Sequence, residues 1–431
     1  MNDWSNPILR AVRASGASLL FLACIASTAQ AAAPAVVSSG WVTAWASAMQ
    51  SIPDLSNPPP LYRTPEVAGR TVRQIVYPTI SGKGVRIRIS NVDGRAPLTL
   101  AGVALAQSAG GAATQPGTSV RVTFGGKPSI VLRAGAEAYS DPIQTTVTAG
   151  EPYAISLVAG PSQAMTAWHR VANQINYVSA PGDHSADAAP AAYTRKFTES
   201  AWVSALDVQA PRGVAIAAIG DSITDGLRSS LNRNRRWPDA FGRRLQGAGD
   251  EPVAILNLGI SGNRLLNDSS CYGQALERRF DRDALGHAGV TAVLVLIGIN
   301  DINFASMPPH AGLDCDAPHT AVTARDLTEG YRRLIERAHQ SGVRIFGATL
   351  TPASLPPARE AVRAAVNDWV RNSHAFDGVV DFDAALRDPA HPDRLQRRFD
   401  SGDHIHPSDE GYEAMAAAVP LEAVVTAARR H

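Results

Sequence analysis

Apolar residues change their spacing once along this chain, near residue 210, and the change separates two kinds of structure. Before it, Val85, Ile87 and Ile89 alternate with Arg86, Arg88 and Ser90, and Val120, Val122 and Phe124 alternate with Arg121 and Thr123. A period of two gives each strand one face for a core and one for water. Glycine-bearing breaks at 81–84, 110–111 and 125–126 separate the runs, and no long helical period intervenes. Residues 41–209 therefore read as an accessory all-β domain, a β-sandwich or jelly roll. Within it, 179–192, holding Pro181, Gly182 and Pro190, reads as a long loop, and 202–208 as the last strand.

Pro211-Arg212-Gly213 ends that pattern. Beyond it, apolar, strand-like runs at 214–219, 253–258, 290–297, 343–350 and 379–382 read as strands, interleaved with helical spacing at 237–245, 324–340, 358–373 and 408–428. In the first of these helices Trp237, Phe241 and Leu245 share a face. The alternation predicts an α/β domain over 210–431, a parallel sheet covered by helices on both sides.

The N-terminus changes this picture by one segment. Arg10 and Arg13 precede an apolar run at 17–26, and Ala29-Gln30-Ala31 has the small-x-small pattern of a cleavage site, so 1–31 reads as an export signal. It is too short and too early for a membrane span. Cys24 follows Phe21-Leu22-Ala23, a poor lipoprotein site because of the phenylalanine, and a soluble secreted or periplasmic protein is the expectation. The 431 residues suffice for two cores, and a formal net charge of +1 without charge runs argues against a nucleic-acid or acidic-surface partner. Oligomeric state has no signature in the chain. Past the leader only Cys271 and Cys315 remain, both in polar, loop-like surroundings, and an exported chain favours a disulfide between them over two separate buried thiols.

The chemistry starts where the 214–219 run breaks into Gly220-Asp221-Ser222-Ile223-Thr224-Asp225-Gly226. A tight turn at a strand end presents a serine well, but the hydroxyl needs a base and its product oxyanion needs donors. Asp403-His404-Ile405-His406-Pro407 offers a base: one turn brings the Asp403 carboxylate to Nδ1 of His406 and leaves Nε2 for a serine. Donors are expected in 257–264 and 298–301, each after an apolar run, so that all these loops open at the carboxyl edge of one sheet. A glycine N–H, from Gly262 or alternatively Gly259, and the Asn300 amide are suitable groups. The competing readings are an ordinary turn at Gly-Asp-Ser, a capped strand end at Gly298–Asp301, and a metal site made of Asp403, His404 and His406. Asp221 and Asp225 read as carboxylates bonding nearby backbone N–H groups, Arg233, Arg235 and Arg236 as a solvated loop, and His169 as structural.

These four blocks, in this order from about Val214 onward, resemble the SGNH/GDSL hydrolase family. The resemblance implies a flavodoxin-like α/β/α fold, Ser222 as nucleophile, Asp403 and His406 as its partners, and Ser222, Gly262 and Asn300 as the oxyanion hole. The pair Asn263-Arg264 departs from the acidic or small polar pair of many members. More loosely, the N-terminal region resembles the β domain of some secreted bacterial members, xylan-esterase-like ones included. The implied activity is an exported serine esterase acting on carboxylic esters, foremost O-acetyl groups of an acylated glycan, with no metal or organic cofactor. The alternatives are a short-chain lipid or aryl esterase, an acyltransferase, and a catalytically silent carbohydrate-binding protein. The β domain is expected to shape access rather than supply chemistry, so that a chain beginning near Gln209 keeps small-ester turnover if it folds.

Overall fold

In the computed structural model, which describes residues 40–430, the apolar runs after residue 210 form five parallel strands. Their order across the sheet is Val253–Gly259, Val214–Gly220, Val290–Leu296, Arg344–Ala348 and Gly378–Val380. The second strand in sequence lies outside the first and the third follows on its other side, so the sheet reverses direction beside Val214–Gly220. That reversal opens a crevice at the carboxyl ends. Register then sets the level of the loops: Gly220 lies opposite Gly259 on one side and Leu296 on the other. Ser222, Gly262 and Asn300 thus begin two to four residues beyond a common line. The proposed leader, 1–31, lies outside the described residues.

The N-terminal region is β-rich. One antiparallel sheet runs Trp41–Ala46, Val203–Gln209, Gly82–Ser90, Ile143–Val147, and a second runs from Arg195–Phe197 through Asn176–Pro181, Arg70–Val76 and Tyr153–Ala159 to the long strand Leu98–Gly110. Val85, Ile87 and Ile89 are fully buried, as their alternation requires. The opposite face of that strand departs from the expectation of water. Arg88 and Ser90 are also buried, and the α/β region covers the first: Arg88 donates to the Gly286 carbonyl at 3.2 Å and lies against the His287 ring. Gly82, read as part of a break, lies inside the strand, and the loop read at 179–192 starts later, since Asn176–Pro181 is extended.

The join between the regions is dense. Thr43 donates its N–H to Ala288 O at 2.9 Å and accepts from Ala288 N–H at 3.0 Å. Thr79 Oγ1 accepts from Ile255 N–H at 3.2 Å, and Asn173 Nδ2 donates to Gly226 O at 2.7 Å, just past the serine turn. One buried apolar cluster includes Val42 and Val208 from one region and Ile216 and Ile255 from the other.

Two expectations for the α/β half, one helix and one strand, need correction. The run 408–428 is two helices, Asp409–Ala418 and Leu421–Arg429, because Pro420 between them has no N–H to continue the first. The strand read at 379–382 stops at Val380, since Asp381 accepts from Ala384 N–H at 3.0 Å and caps a short helix, Phe382–Leu386.

Candidate active site

Ser222 opens a one-turn helix, Ser222–Asp225, whose first amides are free to be capped. Asp221 does this: Oδ1 accepts from Ile223 N–H at 3.0 Å. Burial pushes the Asp221 carboxyl up to about 7, outweighing that hydrogen bond, and its Oδ2 has no partner among the described residues. The turn sits tightly on the neighbouring strand, where a Cβ on Gly259 would fall 2.2 Å from Asp225 N. Only a residue without a side chain permits that approach.

The proposed base arrives from the far end of the chain. His406 Nε2 lies 2.8 Å from Ser222 Oγ, and Nδ1 lies 2.9 Å from Asp403 Oδ2. Asp403 also accepts from the N–H groups of Ile405 and His406 and, at 3.0 Å, from Arg228 Nε. Partial burial works against its charge, but those hydrogen bonds and the imidazole hold the carboxyl well below the usual carboxylate range. His404 turns elsewhere, with Nδ1 2.6 Å from Asp400 Oδ2 and its side chain largely exposed. The two neighbouring histidines therefore do not converge on Asp403.

Gly262 and Asn300 lie in the loops that follow the two strands flanking Val214–Gly220. Gly262 has φ of 84°, a left-handed conformation, and the ring of Tyr272 lies 2.4 Å from where its Cβ would be. Among the described residues neither its N–H nor that of Ser222 has a protein acceptor, whereas Gly259 N–H is bonded to Asn257 Oδ1 at 3.1 Å. Gly262 is thus the available donor of the two glycines. Asn300 gives one amide hydrogen to Asn263 O at 3.0 Å and has a second to offer.

Residues that sequence reasoning did not assign hold these loops. Arg279 is fully buried beneath them and donates to Gly220 O at 2.9 Å, Leu258 O at 3.0 Å and Asn263 Oδ1 at 3.0 Å. Asp301 accepts from the N–H groups of Leu265 and Leu266 and ties the second loop to the Asn300 helix; burial pushes its carboxyl up to about 6. Asn263 and Arg264, the pair that departs from the family pattern, point away from the opening. Asn263 donates to the carbonyls of Tyr272 and Gln274, and Arg264 to those of Asp268 and Asp316. Those last two carbonyls flank the cysteines, and Cys271 and Cys315 are joined by a disulfide.

Asp225 bonds a backbone amide as its setting suggested, accepting from Ser261 N–H at 2.9 Å, but it also meets His169 of the β-rich region at 3.0 Å. Arg236 does not belong to a solvated loop: it pairs with Asp239 at 2.7 and 3.0 Å and packs against Gly226. Long-range contacts of this kind leave no periodic trace in the sequence. Among the described residues no group of three or more His, Cys, Asp or Glu side chains is arranged to hold a metal ion, and no helix is long and apolar enough to cross a membrane.

Residues 218–414 match the family model described as GDSL-like Lipase/Acylhydrolase. Solved structures similar to this chain include an acetyl xylan esterase from Geobacillus stearothermophilus, at 20% identity and a TM-score of 0.35, covering 49% of this chain and 94% of that one. A GDSL-like lipase from Bacteroides thetaiotaomicron VPI-5482 is 16% identical with a TM-score of 0.34, covering 49% and 88%. A lipolytic G-D-S-L family protein from Veillonella parvula DSM 2008 is 17% identical with a TM-score of 0.33, covering 48% and 95%. No curated protein matches the chain. Residues 218–414 are thus a GDSL-like lipase/acylhydrolase region, and the match does not reach the residues before them.

Proposed function

We propose that the protein is an exported serine esterase that removes O-acetyl groups from a carbohydrate. The observation that carries the hydrolytic part is the continuous line from Asp403 through His406 to Ser222, at 2.9 and 2.8 Å, next to two unpaired N–H groups. In this reading Ser222 Oγ attacks the acyl carbonyl while His406 Nε2 takes its proton. The N–H groups of Ser222 and Gly262 and the Asn300 amide receive the oxyanion. His406 then protonates the departing alcohol, and a water that it activates releases the acid. Asp403, kept ionised by its donors, fixes the tautomer and stabilises the imidazolium. The mechanism uses no metal or organic cofactor.

The glycan substrate rests on two supports. The leader pattern at 1–31 favours export, and the β-rich region, read as a sandwich over 41–209, brings Tyr62 of the short helix Pro60–Tyr62 and Arg170 to Tyr272, in the loop that holds Gly262. Arg170 lies 5.8 Å from the ring centres of both Tyr62 and Tyr272, and Tyr272 covers Gly262. Aromatic faces with a guanidinium suit a hydroxyl-rich ring better than a long acyl chain.

The test is a screen of acetylated glycans against nitrophenyl esters of graded chain length, with Ser222→Ala alongside. We expect deacetylation of a glycan and a loss of at least about 1,000-fold in kcat in the variant. Wild-type turnover by Ser222→Ala defeats the mechanism; turnover confined to longer acyl esters defeats the substrate assignment alone.

A further inference from the structure

His169 is buried, and both of its ring nitrogens face acceptors. Nδ1 lies 2.8 Å from Ala48 O, and Nε2 lies 3.0 Å from Asp225 Oδ1 and 3.1 Å from Val171 O. A neutral imidazole has one N–H, so it would leave a lone pair directed at an oxygen. Two N–H groups satisfy every contact. The ring is therefore an imidazolium whose counter-charge is Asp225. Burial alone lowers the basicity of this imidazole, but the charge and hydrogen bond of Asp225 and the bond to Ala48 outweigh it, and the net direction is upward.

The other oxygen of Asp225 continues the connection. Oδ2 accepts from Ser261 N–H at 2.9 Å and from Ser261 Oγ at 2.6 Å. Asp225 ends the helix that Ser222 begins, and Ser261 immediately precedes Gly262. One carboxylate thus spans the nucleophile helix and the oxyanion loop, and its position is set by a cation from the β-rich region. Resting on the serine-esterase reading above, we infer that His169 is a positioning residue that fixes the distance between Ser222 and the Gly262 N–H.

The charges around this pair are few. Arg236 approaches His169 from the segment before the Trp237 helix, but its guanidinium is held by Asp239. Arg279 and Asp221 lie on the far side of Asp225. Within hydrogen-bonding distance, Asp225 is the imidazolium's carboxylate and Ser261 the next link. Oxyanion stabilisation is sensitive to sub-ångström placement, so a loosened Asp225 costs rate in the transition state more than it costs ground-state binding.

The experiment uses the full chain with His169→Gln and, as a milder change, Ser261→Ala. Active sites are counted with a fluorophosphonate, and kcat and KM for nitrophenyl acetate are measured per labelled site. Affinity for a boronic acid that forms a tetrahedral adduct is measured in parallel. We expect His169→Gln to lower kcat about 10- to 100-fold with little change in KM, and to weaken the boronate by a similar factor. Ser261→Ala should move both quantities in the same direction by less, and it keeps the question answerable should His169→Gln fail to fold. Wild-type kcat and boronate affinity per labelled site in whichever variant folds overturn the inference, since a purely structural histidine changes the folded fraction and nothing else. If Ser222→Ala still turns over ester and takes up label, the serine-esterase reading has failed instead.

Discussion

Two histidines meet the serine turn from opposite sides, and their surroundings give the same side chain opposite jobs. His406 has a carboxylate on one nitrogen and a hydroxyl on the other, so its second nitrogen can accept a hydrogen bond from Ser222. His169 has a carbonyl on one nitrogen and a carboxylate on the other, so it holds two protons and serves as a fixed charge. Burial alone does not separate the roles. What separates them is whether the second nitrogen faces a group that can itself donate. A hydroxyl can; a main-chain carbonyl cannot.

The largest effect expected from this comparison comes from removing one side of it altogether. A chain beginning near Gln209 loses His169 and with it the partners of Asp225, Ala288, Ile255 and Gly226, and bares the apolar cluster around Ile216. Circular dichroism and gel filtration should find it unfolded or aggregated, so that the condition on which its small-ester turnover was expected is not met. A soluble, folded fragment with normal turnover of nitrophenyl acetate would break the comparison outright.

Point changes separate the two roles next. His406→Ala should abolish turnover with a melting temperature close to wild type. His169→Ala should cost about 3–5 kcal/mol of stability by stranding the buried Asp225 charge, read from denaturant unfolding. pH sharpens the contrast. The folded-state value of His169 lies above its unfolded one, so its contribution is complete below the ordinary imidazole value and is lost as pH rises through the folded value. As pH rises past the ordinary imidazole value, the wild-type melting temperature should fall more steeply than that of His169→Gln. Asp403 has the opposite sign: its folded value is depressed, so its contribution is present above the ordinary carboxylate value and is lost as pH falls.

The smallest expected effect concerns the disulfide, whose cysteines are 44 residues apart. Reduction should remove about 2–4 kcal/mol by restoring chain freedom to the unfolded state. Calorimetry with and without reductant checks it. Because Tyr272 follows Cys271 and covers Gly262, kcat should decline before the fold is lost.

Much of the α/β half was legible because its signals are local. The break after Ile219, the glycines past Leu258 and the Asp403–His406 spacing each lie within a few residues, and parallel register alone brings their loops to one level. The disulfide partners were legible because the chain past Cys24 has only two cysteines. What escaped was pairing across the two regions. Alternation marked Arg88 as facing water, and nothing near it in the chain announces that Gly286 and His287 would cover it. His169 and Asp225 are 56 positions apart and carry no shared pattern. The break between the last two helices was available in Pro420 but was overridden by the apolar period running through it.

The bond between Thr43 and Ala288 closes over 245 positions of sequence. Strand Trp41–Ala46 is the first strand among the described residues, yet the surface that completes it lies past the middle of the chain. Non-local closures of this kind slow folding, because the entropy of a long loop is spent before the contact forms. A nascent chain halted before Gly286 would leave Arg88 without its Gly286 and His287 contacts and Thr43 without its Ala288 bonds, so folding of the β-rich half is completed only with the other half in place.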